Sequence, residues 1–351
     1  MKKNLSLLLF AVSNVLMVHA QTNQEPFMTK SLSTESIRNA EVQTSGGSIV
    51  VSGVNASEAR IEVYVKPNNN GDSDALSKEE IQKRLNEDYN LNISVSNNTV
   101  TAVAKSKDRN MNWKKGLSIS FKVFVPQNVS TNLATSGGSI SLTNLSGSQE
   151  FSTSGGSLNV QNLSGKIKGR TSGGSINVAD SKDDIDLSTS GGSIEANNCN
   201  GSIRLSTSGG SLKLSALKGN IKASTSGGSI NGNSINGELI AHTSGGSINL
   251  RDLMCSVETS TSGGHINVAI KEFGKYAKIS NPGGNIDVQL PYNKGINLNL
   301  SARKINTEAL DNFNGTGERS RINGKLNGGG IPVDVSAGSG TIRLSFEGKV
   351  I

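Results

Sequence analysis

Five carboxylates lie close together near the middle of the chain: Asp180, Asp183, Asp184, Asp186 and Glu195. Carboxylates grouped in this way could bind calcium, which prefers oxygen ligands, or could act as an acid–base pair on a glycosidic bond. Parallel β-helix polysaccharide lyases and hydrolases use such groupings. The cluster therefore supports one enzymatic hypothesis, a carbohydrate-active β-helix enzyme centred on residues 180–186.

A second group of residues combines an aromatic ring with positive charge: Lys107, Arg109, Trp113 and Lys114, within the basic segment 105–115. The indole ring would offer a flat apolar face, and the cations around it would attract an anionic polymer of a cell envelope. The alternative is a hairpin loop that happens to be basic. The sequence favours that alternative.

Histidine and serine chemistry receives little support. Beyond the first twenty residues the chain has two histidines, His242 and His265, and no other His or Cys joins them to complete the three or four ligands of a zinc site. Serine is abundant, but no Gly-x-Ser-x-Gly elbow is present, and a Ser-His-Asp triad is not predicted. We therefore predict no catalytic residues, no metal and no cofactor.

A repeat must position all of these side chains. The phrase Thr-Ser-Gly-Gly-Ser-Ile, with small variations, recurs every 18 residues, and its threonines are Thr135, Thr153, Thr171, Thr189, Thr207, Thr225, Thr243 and Thr261. A fixed period of this length indicates a solenoid, in which each repeat buries its apolar face by stacking on its neighbours. The sequence predicts an all-β protein, a parallel β-solenoid (β-helix) with 18-residue coils.

Apolar residues mark the inward positions of each repeat. If the threonine is position 0, they fall at 5, 7, 10, 14 and 16, and pairs two apart indicate strands with one buried face. We expect two short strands per coil, around positions 4–8 and 13–18, with position 10 filling the corner between them. The glycines at 2 and 3 are expected to adopt positive φ in a tight corner. Outward Ser and Asn columns would stabilise the stack; a flat recognition surface is the alternative.

This register weakens the enzymatic hypothesis. Asp183 falls at position 12, where other repeats have glycine, while Asp184 and Asp186 fall at positions that face outward. Their expected neighbours on adjacent strands are basic: Lys166, Lys168 and Arg204. We therefore interpret the aspartates as part of a solvated face with cross-coil ion pairs.

The same register predicts that Cys199 and Cys255 do not form a disulfide. They occupy positions 10 and 12 of repeats three apart, a separation of roughly 14 Å at the spacing of β-strands, whereas disulfide-bonded Cα atoms lie within ~7 Å. We expect Cys199 to be buried and Cys255 to lie at a turn.

The chain divides into five predicted segments. A first copy of the phrase, Thr44 to Ile49, precedes Thr135 by a distance that is not a multiple of 18, so a β-rich region with one helix is inserted and should cap the solenoid. The copy at Asn281 comes 20 residues after Thr261, which predicts a two-residue bulge within 272–275. The segments are a signal peptide (1–20), a disordered lead (21–30), the capping region (31–128, helix about 77–87), the regular solenoid (129–290) and looser C-terminal coils (291–351).

The N-terminus has the features of an export signal: two lysines, a short apolar stretch and Val18-His19-Ala20 before the expected cleavage. We expect the mature protein in the periplasm, at the cell surface or secreted, and no later apolar run approaches the ~20 residues of a membrane helix. Removal of Lys2 and Lys3 lowers the formal net charge from +7 to +5. This charge is too mild and dispersed to predict nucleic-acid binding.

Several of these motifs together resemble a known family: the signal peptide, the strand ending at Val125-Pro126, the repeated phrase, and the closing Asn327-Gly-Gly-Gly and Gly-Ser-Gly-Thr-Ile342. They are similar to a β-strand-repeat family of unknown function labelled "putative adhesin", which is widespread in bacterial envelopes. The resemblance covers nearly the whole mature chain. It implies a parallel β-solenoid in the envelope, with no family catalytic residues to carry over.

We therefore predict an exported, non-enzymatic β-solenoid that serves as an adhesin or as a structural envelope protein. An envelope polysaccharide or a surface protein is the expected class of partner. The polysaccharide lyase or hydrolase remains the alternative function.

Overall fold

The computed structural model describes residues 25–68, 77–108 and 116–348. Within these ranges, 26 strands join one long open sheet in which most strand pairs are parallel, and one α-helix accompanies them. The all-β prediction is confirmed, and the architecture is consistent with a solenoid. The predicted signal peptide, 1–20, lies outside the described residues.

Seven strands, a short 3₁₀ helix (Ala56–Glu58) and helix α1 (Lys78–Asp88) precede the regular repeats. The strands are β1 (Met28–Ser31), β2 (Asn39–Thr44), β3 (Ile49–Val54), β4 (Arg60–Pro67), β5 (Tyr89–Ser96), β6 (Thr99–Ser106) and β7 (Leu117–Pro126). β1 contradicts the predicted disordered lead, 21–30, at residues 28–30, because Met28 pairs with Val63 of antiparallel β4. Residues 21–24 of that segment lie outside the described residues. An open strand edge orders even a polar segment through its backbone groups.

Helix α1 begins close to the predicted position. The Ser77 hydroxyl accepts the Glu80 N–H at 3.2 Å, which satisfies one of the free donors at the helix start. The helix buries Leu85. After the helix, β5 and β6 form an antiparallel hairpin, in which Asn97 and Asn98 adopt φ of 50° and 59° in a tight turn.

The first copy of the repeat phrase stacks directly on the second despite the long insertion. β2 pairs in parallel with β8 (Ser130–Thr135), Thr44 opposite Thr135, and β3 pairs with β9 (Ile140–Thr143), Ile49 opposite Ile140. The inserted β6 and β7 pair with the other edges of β2 and β3. The insertion therefore lies on the outer side of the first copy.

The regular repeats form a parallel ladder whose partners lie 18 residues apart. Thr153 pairs with Thr171, and Leu158 pairs with Ile176. The strands are β10 (Ser146–Thr153), β11 (Leu158–Gln161), β12 (Ser164–Thr171), β13 (Ile176–Ala179), β14 (Lys182–Thr189), β15 (Ile194–Asn197), β16 (Asn200–Thr207), β17 (Leu212–Ser215) and β18 (Lys218–Thr225).

Beyond β18 the strand pairing continues across the corner, so each repeat contains one long strand: β19 (Ile230–Thr243), β20 (Ile248–Thr261) and β21 (Ile266–Asn281). The expectation that Cys255 lies at a turn is therefore wrong, because this residue lies within β20. Between β20 and β21 the offset changes from Cys255–Phe273 to Val257–Ala277. The predicted two-residue bulge is present and lies between Phe273 and Ala277.

The C-terminal strands do not stack in chain order. They are β22 (Ile286–Pro291), β23 (Ile296–Thr307), β24 (Phe313–Gly317), β25 (Arg321–Leu326) and β26 (Ile331–Glu347). β26 pairs in parallel with β21 and β22, and β23 pairs with the opposite edge of β26. The antiparallel pairs β23–β25 and β25–β24 follow beyond it.

The core is a continuous column of aliphatic side chains, as predicted. Positions 5 and 14 are buried in the regular repeats, for example Ile194 and Ile203. The phrase glycines, however, are not among the residues with positive φ. A Cβ at position 3, as in Gly174, would lie 2.0 Å from the Gly156 carbonyl oxygen, whereas one at position 2 would keep ordinary contacts. Close stacking of corners requires the position 3 glycine.

Candidate functional site

Two of the four clustered aspartates serve the corners of the stack. Asp180 and Asp183 have φ of 53° and 83°. The Asp180 carboxylate accepts the side-chain N–H of Asn198 at 2.7 Å, and the Asp183 carboxylate accepts the backbone N–H of Gly165 at 2.9 Å. Both carboxylates therefore stabilise turns of adjacent repeats.

The other two, Asp184 and Asp186, line a groove of about 450 Å³ on the outward face of the long strands. Five successive strands contribute outward pairs from positions 13 and 15: Lys166 and Lys168, Asp184 and Asp186, Ser202 and Arg204, Asn220 and Lys222, Glu238 and Ile240. At a strand spacing of ~4.8 Å these rows span about 19 Å. We call this surface the long-strand groove.

The expected ion pairs of Asp184 and Asp186 are not formed. Among the described residues, neither aspartate has a Lys or Arg nitrogen within 4.0 Å. Lys168 instead contacts Glu150 of the preceding strand at 2.8 Å. Hydrogen bonding to Lys168 holds the pKa of Glu150 below its usual range. The groove thus contains both charge signs without pairing them directly.

Glu195, which the sequence placed with the aspartates, belongs to another surface. It lies on the short strand β15, and its carboxylate contacts Lys213 of β17 at 2.7 Å. The aspartates of the groove lie on the long strand β14. The structure therefore divides the predicted carboxylate cluster among a corner, a groove and a separate ion pair.

The basic loop is described only in part. The Lys107 ammonium donates to the Asn86 carbonyl oxygen at 2.6 Å, and its backbone N–H donates to the Asp88 carbonyl oxygen at 2.8 Å. Lys107 therefore caps the C-terminal end of α1, where carbonyls lack helical partners. Arg109, Trp113 and Lys114 lie outside the described residues.

The histidines and cysteines make local contacts. The His242 ring nitrogen lies 2.8 Å from the Ser260 hydroxyl, and the His265 ring lies 3.1 Å from Asp287. In the part of the chain that the structure describes, no three His, Cys, Asp or Glu side chains are grouped to hold a metal ion. Cys199 and Cys255 are free and buried, and burial raises the pKa of the Cys255 thiol to about 12, so this thiol is not poised as a nucleophile.

One aromatic residue next to the groove was missed at the level of sequence. Tyr276 lies in the bulge, and its hydroxyl reaches back two repeats to donate to the Glu238 carboxylate at 2.9 Å. Partial burial and this hydrogen bond raise the pKa of Tyr276 to about 12, so the phenol stays neutral. The available signal was a tyrosine directly after the predicted bulge, 272–275, because a bulge re-aims the side chains next to it.

A second unpredicted cluster lies on the paired strands β4 and β7. The Arg60 guanidinium stacks over the Phe124 ring at 3.7 Å and donates to Glu62 at 2.8 Å. Lys122 lies 4.7 Å from the centre of the Tyr64 ring, and the Tyr64 hydroxyl donates to Glu62. These contacts satisfy one another, and we interpret them as a network that stabilises the antiparallel pair.

Comparisons with protein families, curated proteins and solved structures found one distant structural match. No protein-family model and no curated protein matches the chain. Among solved structures, the chain is similar to a crystal structure described as "a putative cell adhesion protein from Clostridium sporogenes", with 11% identity, 91% of this chain and 98% of that chain covered, and a TM-score of 0.23. A TM-score this low does not show a shared fold. No helix among the described residues is long and apolar enough to cross a membrane.

Proposed function

We propose that the protein is an exported, non-enzymatic β-solenoid that acts as an adhesive or structural component of the bacterial cell envelope. The observation that supports this proposal is the constant register of the ladder: partners 18 residues apart stay opposed from β10 to β20. A surface whose side chains repeat at a fixed spacing suits contact with a long or repetitive partner.

The finer architecture belongs to the same proposal. Each 18-residue period would form one coil with two strand segments, one at positions 5–8 and one at 11–18. The region 31–128 would cap the first coil, and the hairpin of β24 and β25 would cover the other end, since an uncovered sheet edge invites aggregation. The family of bacterial envelope proteins named above, with its "putative adhesin" label, remains the proposed relationship.

The proposal that the protein is exported rests on its N-terminal segment alone. A positively charged start, a short apolar stretch and a small-residue site before Gln21 are the features of a cleaved signal peptide. The mature protein would lie in the periplasm, at the surface or outside the cell. An envelope polysaccharide or a surface protein is its proposed partner.

A second candidate function is favoured by one observation. The long-strand groove lies beside the Asp180–Asp186 repeat, as a polysaccharide lyase or hydrolase would require, and Asp184 and Asp186 both line it. Against this candidate, the two carboxylates share their strand with no histidine or tyrosine, and two of the four clustered aspartates are used in corners. We therefore rank the enzyme second.

The test of the first proposal combines location and attachment. Native cells are fractionated, the N-terminus of the protein is sequenced by mass spectrometry, and a deletion strain is compared with wild type for attachment to polysaccharide-coated surfaces. We expect a chain beginning at Gln21 in the envelope or secreted fraction, and weaker attachment after deletion. An uncleaved chain in the cytoplasm would overturn the proposal.

A further inference from the structure

We propose that the long-strand groove binds an acidic polysaccharide, whose carboxylate is held between Arg204 and Lys222. This inference rests on the proposed function as an adhesive protein and names the chemistry of its partner. It concerns residues that the enzymatic hypothesis does not use as acid or base.

The first support is a juxtaposition of like charges. Arg204 of β16 and Lys222 of β18 are direct partners in the parallel ladder, so their side chains leave the same face on neighbouring strands, ~4.8 Å apart. Like charges placed directly opposite each other destabilise a sheet. An anion bound between the two cations would remove that repulsion.

The second support is that no acidic side chain of the described residues forms an ion pair with Arg204 or Lys222, although Asp186 is the ladder partner of Arg204 on its other side. Both cations are exposed, and among the described residues neither has a carboxylate oxygen within 4.0 Å. Lys222 lies between Arg204 and Ile240 in its column. By contrast, Lys168 and Lys213 each contact a glutamate of the preceding repeat. Unlike those two lysines, Arg204 and Lys222 remain available to a ligand.

The third support is the chemistry beside the cations. Ser202 and Asn220 stand two residues before Arg204 and Lys222 on the same strands and line the same groove. A hydroxyl and an amide both donate and accept hydrogen bonds, which suits the hydroxyl groups of a sugar. Ile240, and Tyr276 beyond it, provide apolar surface at one end. Two cations beside neutral hydrogen-bonding groups suit a uronate unit, which carries hydroxyl groups as well as a carboxylate, better than a bare phosphate.

An acidic polypeptide fits less well. An extended peptide gains most of its affinity by adding a strand to an open sheet edge. β16 is already paired on both sides, with β14 and β18, so its backbone offers no such edge. The groove is a surface of side chains, and only a ligand that bonds through its own polar substituents gains from it.

The experiment measures binding of the purified mature chain to three polymers by microscale thermophoresis: polygalacturonate, dextran sulfate and neutral dextran. We expect polygalacturonate to bind, with an affinity that falls as salt rises, and neutral dextran not to bind. The variant Arg204→Gln/Lys222→Gln should weaken polygalacturonate binding by about tenfold or more, because two charge-assisted contacts are lost.

The matched control is Lys182→Gln/Lys218→Gln, which removes the same charge from exposed positions on β14 and β18 outside the groove. This control should bind within about twofold of wild type, and neither double variant should melt below wild type. Equal weakening in both double variants would mean diffuse attraction and overturn the site. Tighter binding of dextran sulfate than of polygalacturonate would overturn the carboxylate assignment.

Two further outcomes separate this inference from the proposed function. Polyglutamate is tested as a fourth polymer. If it binds as tightly as polygalacturonate and the groove variant loses that binding, the assignment of the ligand as a saccharide would be overturned. Absence of polygalacturonate binding by wild type would overturn the inference as a whole. Cells that carry the groove variant and still attach like wild type would show that adhesion survives without this site, whereas failure of export would contradict the proposed function alone.

Discussion

Thr171 and Gly156 are joined by a 2.8 Å hydrogen bond that links two successive repeats: the buried Thr171 hydroxyl donates to the Gly156 carbonyl oxygen. The same hydroxyl oxygen accepts the N–H of Gly174 at 3.3 Å. The contact recurs at the equivalent threonines Thr153, Thr189, Thr207, Thr225, Thr243 and Thr261. Asn281 reproduces it with its side-chain amide. The threonine of the phrase is therefore a polar link inside the corner.

Replacing Thr171 with valine should destabilise the protein by about 1–3 kcal/mol, because the Gly156 carbonyl and the Gly174 N–H lose their buried partner. Urea denaturation of wild type and variant gives the free energy of unfolding. The matched control, Thr171→Ser, keeps the hydroxyl and should cost less. A valine variant as stable as the serine variant would contradict the role of the hydroxyl.

Adjacent glycines of one corner should respond differently to alanine. A Cβ at Gly174 would lie 2.0 Å from a backbone oxygen, whereas a Cβ at Gly173 meets nothing closer than 3.6 Å. Gly174→Ala should destabilise by about 2 kcal/mol or more through forced backbone shifts, and Gly173→Ala should stay within about 0.5 kcal/mol of wild type. Thermal unfolding of both variants is the measurement. Similar melting temperatures would contradict the stacked corner.

Ala216 should be improved by asparagine. It has φ of 52° at position 9, where the equivalent residues of other repeats include Asn144, Asn162 and Asn198. Left-handed backbone is costly for alanine and tolerated by asparagine and glycine, so Ala216→Asn and Ala216→Gly should each gain about 0.5–1 kcal/mol. Chemical denaturation tests both variants. A loss of stability in both would mean that strain at this corner is absent.

Ile203→Asp should destabilise severely, by about 3 kcal/mol or more, because Ile203 is 1% exposed and the new carboxylate would have no partner in the core column. Ser202→Asn, one residue earlier on the exposed face, is the control and should change stability little. Melting curves of the two variants decide the point. An Ile203→Asp protein that melts within about a degree of wild type would mean that position 14 does not face inward.

The triple variant Asp183→Asn/Asp184→Asn/Asp186→Asn separates a scaffold from an enzyme. Asparagine tolerates the positive φ of residue 183, and its side-chain oxygen still accepts the Gly165 N–H. Among the described residues, Asp184 and Asp186 form no ion pair whose loss would destabilise the fold. Fold and attachment should therefore remain nearly unchanged. Melting temperature is measured with calcium and with chelator, and sugar release is measured from acidic polysaccharides.

Either of two results would instead support the second candidate function. Calcium-dependent melting that the triple variant loses would indicate a metal site, since a bound ion stabilises the folded state. Release of reducing or unsaturated sugars that falls by roughly 100-fold in the variant would indicate acid–base catalysis.

Much of the regular region could be predicted from its periodicity. Inward positions follow from pairs of apolar residues two apart, and the ladder partners follow from the 18-residue period, which already places Arg204 beside Lys222. Other features could not be predicted from the periodicity. The phrase glycines were assigned to positive φ, but Gly174 is required by the approach of another repeat's backbone, a contact that no single repeat contains. The reach of Tyr276 to Glu238 likewise depends on where the bulge turns the chain.

The sequence by itself determined the strand content, the helix start at Ser77 and the register between successive repeats, because these depend on local patterns and on a period that each repeat shares. Only the tertiary structure decided the order of strands at the two ends of the stack. Thr44 lies opposite Thr135 across a long insertion, and β26 is inserted between β22 and β23 although it follows both in the chain. The physical reason is that a parallel strand edge accepts whichever strand offers matching side chains and free backbone groups, so chain order constrains pairing only where the connection is short.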